Sequence, residues 1–142
     1  MIAPTIDQFK PSEGWIGIDL DGTLAQYDKW KGPDYIGAPI PKMVHFVRDL
    51  LAKGIEVRIM TARVGPQKDP QEIEPAIKAI KAWCQQHLGR ELAVTNEKDF
   101  SMVWLYDDRC TRVQKNHGFW YDPGHASEDP PLAPDGGFDP SI

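Results

Sequence analysis

The chain of 142 residues has the length of one domain, and 41% hydrophobic against 26% charged residues is enough apolar material for a core. The formal net charge of −5 lacks the basic excess usual in nucleic-acid-binding proteins, although a local basic patch stays possible. No apolar run is long enough to span a bilayer, and residues 1–12 lack the features of a signal peptide. We therefore expect a cytoplasmic protein without membrane contact. Cys84 and Cys110 are too few for a thiolate metal site, and we interpret both as small buried side chains.

The first part of the chain predicts a strand, a loop and a helix, in that order. Residues 15–20 form a short apolar run that ends in acidic residues and Gly22, as expected of a buried strand with polar groups at its carboxyl end. Residues 25–38, which we call the flap, have no hydrophobic period and contain glycine and proline, so they predict a loop or a hairpin. A helix with one apolar face then begins near Pro41 and ends at Gly54.

The following segments alternate between strands and a helix. Residues 55–60 predict a second strand, which ends at Thr61, and residues 73–88 predict a second amphipathic helix. Two short strands follow at residues 92–95 and 102–106. The alternation predicts an α/β fold, a Rossmann-like three-layer sandwich around a mainly parallel sheet with right-handed crossovers.

A change in composition after residue 121 sets the predicted domain boundary. Residues 122–142 contain five prolines, three glycines and four aspartates. A segment with so few bulky apolar side chains cannot bury enough surface to offset its ordering entropy. We therefore predict a single domain over residues 1–121 and a flexible or surface-wrapping tail over residues 122–142.

Polar residues lie at or just after the carboxyl end of each of the four predicted strands. They are Asp19, Asp21, Thr61, Lys98, Asp107 and Asp108. The carboxyl ends of parallel strands share one edge of a sheet, and ligands bind in the crevice outside that edge. Carboxylates gathered there repel one another unless a cation lies between them, and oxygen ligands beside a phosphate suit Mg²⁺. One carboxylate facing a phosphoryl group can form an acyl phosphate, while another exchanges a proton with the leaving group and then with water.

Four short motifs resemble those of the haloacid dehalogenase-like superfamily and occur in the same order. Residues 19–24, Asp-Leu-Asp-Gly-Thr-Leu, resemble the first motif, DxDGT[LV]. Residues 59–63 resemble the second motif, an apolar strand that ends in threonine or serine, and residues 106–109 resemble the fourth. Lys98 can serve as the third motif. The chain that contains it, residues 96–101, is long enough when extended to lead back to the start of the last strand without a helix. The resemblance covers roughly residues 15–112 and implies a phosphatase of this superfamily.

The resemblance implies catalytic and metal-binding roles for the four acids. Asp19 would be the nucleophile and a metal ligand. Asp21 would be the general acid and base, and would lend its backbone carbonyl to Mg²⁺. Asp107 would bind the metal directly, and Asp108 would bind it directly or through water. Relatives that cleave carbon–halogen bonds usually lack the second aspartate, so Asp21 favours phosphate chemistry.

The resemblance also assigns residues to substrate binding. Thr61 and Lys98 would hold the phosphate, and Gly22 and Thr23 of the first motif line the same site. Two roles stay open for Arg63: it contacts the substrate, or it forms an ion pair at the surface. Should Lys98 not reach the phosphate, Arg63 or Arg109 could supply the positive charge. Thr61 also keeps the simpler interpretation of a helix cap.

The flap is too short for the cap domain that selects substrates in many relatives. We therefore expect a capless member with an open site and a substrate that is a nucleotide, a sugar phosphate or a bulky or macromolecular phosphoester. Nucleic acid is expected only as a substrate. The flap carries aromatic and basic residues that could bind a base and an extra phosphate, or could simply pack the loop on the domain. They are Tyr27, Lys29, Trp30, Lys31 and Tyr35. Two other functions stay open: a non-catalytic binding protein on this fold, and a phosphotransferase.

Overall fold

The structure, a computed structural model, describes residues 5–120. Its contacts define two compact units, one over Ile6–Asp108 and one that includes Thr5 and residues 109–120. The first unit therefore ends at Asp108, earlier than the domain boundary expected at residue 121. The predicted tail at residues 122–142 lies outside the described residues.

Four parallel strands form the sheet of the first unit. They are β1 (Trp15–Asp19), β2 (Glu56–Met60), β3 (Ala93–Thr95) and β4 (Met102–Tyr106). Their order is β3-β2-β1-β4, so β1 lies between β2 and β4. In the register, Asp19 pairs with Met60 and Ile18 pairs with Tyr106. The predicted α/β fold with a parallel sheet is confirmed, and the register brings the carboxyl ends of β1, β2 and β4 to one edge.

Two helices connect the first three strands, α1 (Pro41–Ala52) and α2 (Pro70–Leu88). Each begins with proline in its first turn, where the missing N–H leaves no helical hydrogen bond unmade. Helix α2 starts three residues before the predicted position because the Asp69 side chain caps it by accepting from the Gln71 N–H. Gly89 ends α2 in the left-handed conformation, with φ of 84°. No helix within residues 5–120 has the length and apolarity that crossing a bilayer requires.

One face of the sheet packs against both helices and forms the core. Its buried members from the strands are Ile16, Ile18, Val57 and Ile59, and those from the helices include Val47, Leu50, Ile80 and Cys84. Each buried aliphatic side chain of this size contributes about 1.5–3 kcal/mol of transfer free energy. Burial also raises the pKa of the Cys84 thiol to about 11. The matching prediction for Cys110 is wrong: its thiol is exposed, because it lies beyond β4 and outside this core.

Within Ile6–Asp108, Trp15 lies on the opposite face of the sheet, because it alternates with Ile16 along β1. Trp15 is buried on that face, and its indole N–H donates to Asp99 over 2.8 Å. The guanidinium of Arg58 stacks on the Trp15 ring at 4.5 Å and lies 3.5 Å from Asp99. Residues 96–101 therefore return from β3 to β4 without a helix, as the sequence predicts.

Candidate functional site

A cluster of three carboxylates lies at the carboxyl edge of the sheet. Asp19 is the last residue of β1, and Asp107 and Asp108 directly follow β4 on the neighbouring strand. Each of the three offers a carboxylate oxygen, and these oxygens all lie within 4.8 Å of one another. The structure thus brings together the acids of the first and last strands. We call them the carboxylate cluster.

The turn after β1 is built around this cluster. The Thr23 hydroxyl lies 3.2 Å from an oxygen of Asp19 and 3.1 Å from one of Asp108, and it accepts the backbone N–H of Asp108 at 3.0 Å. Gly22 has a φ of 88°, and a Cβ at this position would lie 2.5 Å from Asp108 Oδ2. Glycine is therefore required both by the backbone conformation and by the close approach of Asp108. Thr23 is only 8% exposed and positions the carboxylates; its predicted contact with substrate stays a prediction.

Burial and the neighbouring carboxylates change the protonation of Asp19. Burial, a hydrogen bond with Asp108 and the negative charge of Asp107 together raise the pKa of Asp19 to about 7. The hydrogen bond from Thr23 opposes this shift but does not reverse it. Three carboxylates held this close are stable in the ionised state only if a positive charge neutralises them. Their hard oxygen donors fit a divalent cation of the Mg²⁺ type.

We expect Mg²⁺ to stabilise the protein more at neutral than at acidic pH. With Asp19 at its ordinary pKa of 3.8 in the unfolded chain and about 7 in the native state, the native state binds the extra proton between those values. The free energy of unfolding without metal should therefore fall as pH rises through this window. A cation that binds the ionised cluster removes this loss, so the Tm difference between Mg²⁺ and chelator should increase with pH. Differential scanning calorimetry measures it, with Asp19→Asn as the variant in which the increase should be much smaller. An equal Mg²⁺ effect at both ends of the window would contradict the expectation.

Asp21 lies apart from the carboxylate cluster and pairs with Arg63. The guanidinium donates from Nε to Asp21 Oδ2 at 2.8 Å and from Nη2 to Oδ1 at 2.9 Å. An ion pair of Arg63, one of the two roles that the sequence left open, is therefore formed. It is not a surface pair, because the Arg63 side chain is 4% and the Asp21 side chain 20% exposed. Both oxygens of the predicted general acid are occupied by this one partner. Nothing in the sequence pairs residues 42 positions apart, so this contact could not be predicted.

Thr61 is buried next to the cluster, one residue beyond the Met60 that pairs with Asp19. Its hydroxyl oxygen accepts the Arg63 N–H at 3.1 Å and thereby caps a short 3₁₀ helix, Ala62–Val64, which the sequence did not predict. The simpler cap interpretation is therefore confirmed. The hydroxyl oxygen is the acceptor in this bond, and within residues 5–120 the hydroxyl donates no hydrogen bond of its own, so its proton can be given to a ligand. Capping and phosphate binding are thus compatible.

Lys98 is exposed and makes no polar contact with the carboxylate cluster within the described part of the chain. On one side, Glu97 is hydrogen-bonded to Thr95 at the carboxyl end of β3. On the other side, Asp99 is bonded to Trp15, which begins β1 at the opposite edge. Lys98 thus lies on the segment that leads from the carboxyl end of β3 to the opposite edge of the sheet, where β1 begins. Its role stays a prediction, as does that of Arg109, which belongs to the second compact unit.

The flap closes at its base and folds onto Arg63. Ala25 pairs with Pro39 in an antiparallel bridge, as a hairpin would. The Trp30 ring receives two cations, with Lys68 Nζ at 3.7 Å and the Arg63 guanidinium carbon at 5.0 Å from its centroid. Trp30 therefore anchors the flap on the domain, which agrees with the packing interpretation for this residue. The contact of Lys68 with Trp30 could not be predicted, because Lys68 lies in a loop without any motif.

The chain matches no protein-family model and no curated protein. A search of solved structures finds similarity to a conserved protein from Bacteroides thetaiotaomicron. The two chains are 19% identical with a TM-score of 0.48, and the alignment covers 70% of this chain and 78% of the other. At this level of similarity the comparison bears on none of the site residues.

Proposed function

We propose that the protein is a Mg²⁺-dependent phosphomonoester hydrolase of the haloacid dehalogenase-like type, with Asp19 as its nucleophile. The observation that carries this proposal is the carboxylate cluster, which combines acids from two neighbouring strands within 4.8 Å at the ligand-binding edge of a parallel sheet. We further propose that it acts in the cytoplasm. The substrate belongs to the nucleotides, the sugar phosphates or bulkier phosphoesters.

The proposed reaction has two steps. A carboxylate oxygen of Asp19 attacks phosphorus, an O–P bond forms, and the bond from phosphorus to the leaving alkoxide breaks as Asp21 gives that alkoxide a proton. Water then attacks the aspartyl-phosphate while Asp21 takes a proton from it, the bond from phosphorus to Asp19 breaks, and inorganic phosphate leaves. The Thr61 hydroxyl can donate to a phosphoryl oxygen throughout. Mg²⁺ on Asp19, Asp107 and Asp108 would neutralise the negative charge that the carboxylates and the phosphoryl group bring together.

The Arg63–Asp21 ion pair adds a condition to this mechanism. An oxygen that accepts from the guanidinium is not directed at a leaving group, and both oxygens of Asp21 accept from Arg63. In the ion pair Asp21 is a carboxylate that carries no proton. We therefore propose that at least one of these two hydrogen bonds opens when substrate binds, and that Asp21 then takes up from solvent the proton that it gives to the leaving alkoxide. Arg63 also donates to the Pro33 carbonyl at 3.4 Å, so a movement of this side chain involves the flap.

The test is hydrolysis of a generic aryl phosphate in the presence of Mg²⁺ or of excess chelator. We expect turnover with Mg²⁺, loss of turnover with chelator, and recovery when Mg²⁺ is added back. Ca²⁺ serves as a matched control, because its longer and more variable coordination suits the carboxylates but not the transferring phosphoryl group. Turnover that is indifferent to chelation would reject the metal-dependent mechanism. Absence of turnover under all conditions, despite Mg²⁺ binding, would favour the non-catalytic alternative.

A further inference from the structure

A cavity of about 300 Å³ lies between the flap and Arg63. Its lining includes Tyr27, Lys29, Lys31, Tyr35 and Arg63. This volume is at the lower limit of about 300–1,000 Å³ for small-molecule sites. The cavity is therefore large enough for part of a substrate, and it adjoins the side chain that holds Asp21.

The charge of the lining favours an anion. Arg63 is neutralised by Asp21, and Lys31 is neutralised by Asp28 at 3.1 Å, an ion pair that lowers the pKa of Asp28. Lys29 has no acidic partner within residues 5–120, so it contributes a positive charge that nothing there balances. The protein as a whole has a net charge of −5. The cavity thus has the opposite sign and suits a phosphate other than the one that faces Asp19.

Two exposed tyrosine side chains contribute aromatic surface to the lining of the cavity. Tyr27 is 48% and Tyr35 is 49% exposed, and Lys31 lies over the Tyr35 ring at 4.8 Å from its centroid. Trp30, in contrast, is used by Lys68 and Arg63 and holds the flap in place. Exposed rings beside cations are the combination that binds a nucleobase next to its phosphates.

The cavity also lies at a suitable distance from the reacting groups. Arg63 lines it and is 2.8 Å from Asp21. Asp21 and Asp19 are two residues apart along the chain, so their Cα atoms are within roughly 7 Å of each other. The cavity therefore adjoins the residues proposed for proton transfer and nucleophilic attack.

We propose that the flap cavity binds the base and a second, non-transferred phosphate of a nucleotide substrate, while the first phosphate faces Asp19. This inference rests on the proposed function for the transferred phosphate. The second phosphate comes either from a nucleoside bisphosphate or from the end of a phosphorylated oligonucleotide. Its negative charge also competes with Asp21 for Arg63, so occupation of the cavity frees the Asp21 carboxylate to take up from solvent the proton that it donates to the leaving group.

The test compares kcat/KM for four substrates: adenosine 3′,5′-bisphosphate, adenosine monophosphate, a short oligonucleotide with a terminal phosphate, and a sugar bisphosphate. The bisphosphate or the oligonucleotide should be preferred, and the better of the two identifies the source of the second phosphate. Lys29→Ala should lower kcat/KM for the preferred substrate about fivefold. Tyr27→Leu should lower it about tenfold, and Tyr27→Phe should restore it because the ring stacks and the hydroxyl does not. The matched control is Lys78→Ala, an exposed lysine of α2 outside the cavity.

Binding to the Asp19→Asn variant, measured by isothermal titration calorimetry with Mg²⁺, separates this inference from the proposed function. If the wild type hydrolyses no phosphate ester, yet Lys29→Ala weakens bisphosphate binding to the Asp19→Asn variant about fivefold, the proposed function is rejected and the cavity ligand is supported. The cavity ligand would be overturned if the protein hydrolyses the aryl phosphate but shows equal kcat/KM for adenosine monophosphate and both larger nucleotides, and if Lys29→Ala leaves these values unchanged. A preference for the sugar bisphosphate over every nucleotide would overturn it as well.

Discussion

Asp19→Asn should lower the hydrolysis of phosphate monoesters by about 10⁴-fold or more, as expected when a covalent nucleophile is lost. The amide oxygen of asparagine carries no negative charge and is a poor nucleophile toward phosphorus. The substitution is nearly isosteric and keeps an acceptor for Thr23, which lies 3.2 Å from Asp19. It also removes one of three crowded negative charges, so the folded protein should not lose stability. Steady-state kinetics with an aryl phosphate measures the loss.

The matched control is Asp49→Asn, the same change on an exposed residue of α1. It should leave kcat/KM within about twofold of the wild type, as is usual for surface substitutions. Acid quenching during turnover, followed by mass spectrometry, should find the phosphoryl group on the peptide that contains Asp19 in the wild type only. Activity that survives in Asp19→Asn, or a phosphoryl group on another residue, would reject Asp19 as the nucleophile.

The positions of Asp19, Asp107 and Asp108 could be predicted because they depend on strand pattern alone. Short apolar runs separated by amphipathic helices fix a parallel sheet, and a parallel sheet brings all the strand ends to one edge. The residues that follow those runs then meet regardless of the details of packing. Gly22 belongs to the same class, since its positive φ is a local requirement of the turn.

The contacts of Arg63 could not be predicted, because they depend on side-chain conformations across loops. A buried arginine needs an acidic partner, but several acids lie near the strand ends and the sequence does not choose among them. The same holds for Trp30, whose partner Lys68 comes from a loop without a period. Lys98 shows what motif spacing cannot predict. Residues 96–101 cross from one edge of the sheet to the other, and spacing alone does not say how far Lys98 lies from the carboxyl edge.

Asp21→Asn should lower kcat/KM for an alkyl phosphate about 10³-fold, and for an aryl phosphate with an acidic leaving group only about tenfold. An alkoxide needs a proton as it leaves, whereas the anion of an acidic phenol does not. The comparison uses kcat/KM because this constant reports on steps up to the first irreversible one, and the later attack of water is common to both substrates. Mg²⁺ affinity, measured by titration calorimetry, should stay close to that of the wild type because the Asp21 carboxylate lies outside the carboxylate cluster.

Arg63 complicates this experiment and also provides its control. In Asp21→Asn the guanidinium, 4% exposed, loses its negative partner. Breaking a fully buried pair costs about 3–5 kcal/mol, and the 20% exposure of Asp21 makes the cost here smaller. The double variant Asp21→Asn/Arg63→Gln removes the unpaired charge, so it should regain stability but not activity toward the alkyl phosphate. Arg63→Gln alone retains Asp21, so the ratio of kcat/KM between the alkyl and the aryl phosphate should stay that of the wild type. If Asp21→Asn instead slowed both substrates equally, or if the double variant recovered alkyl phosphate hydrolysis, the loss would stem from the displaced arginine and Asp21 would not be the general acid.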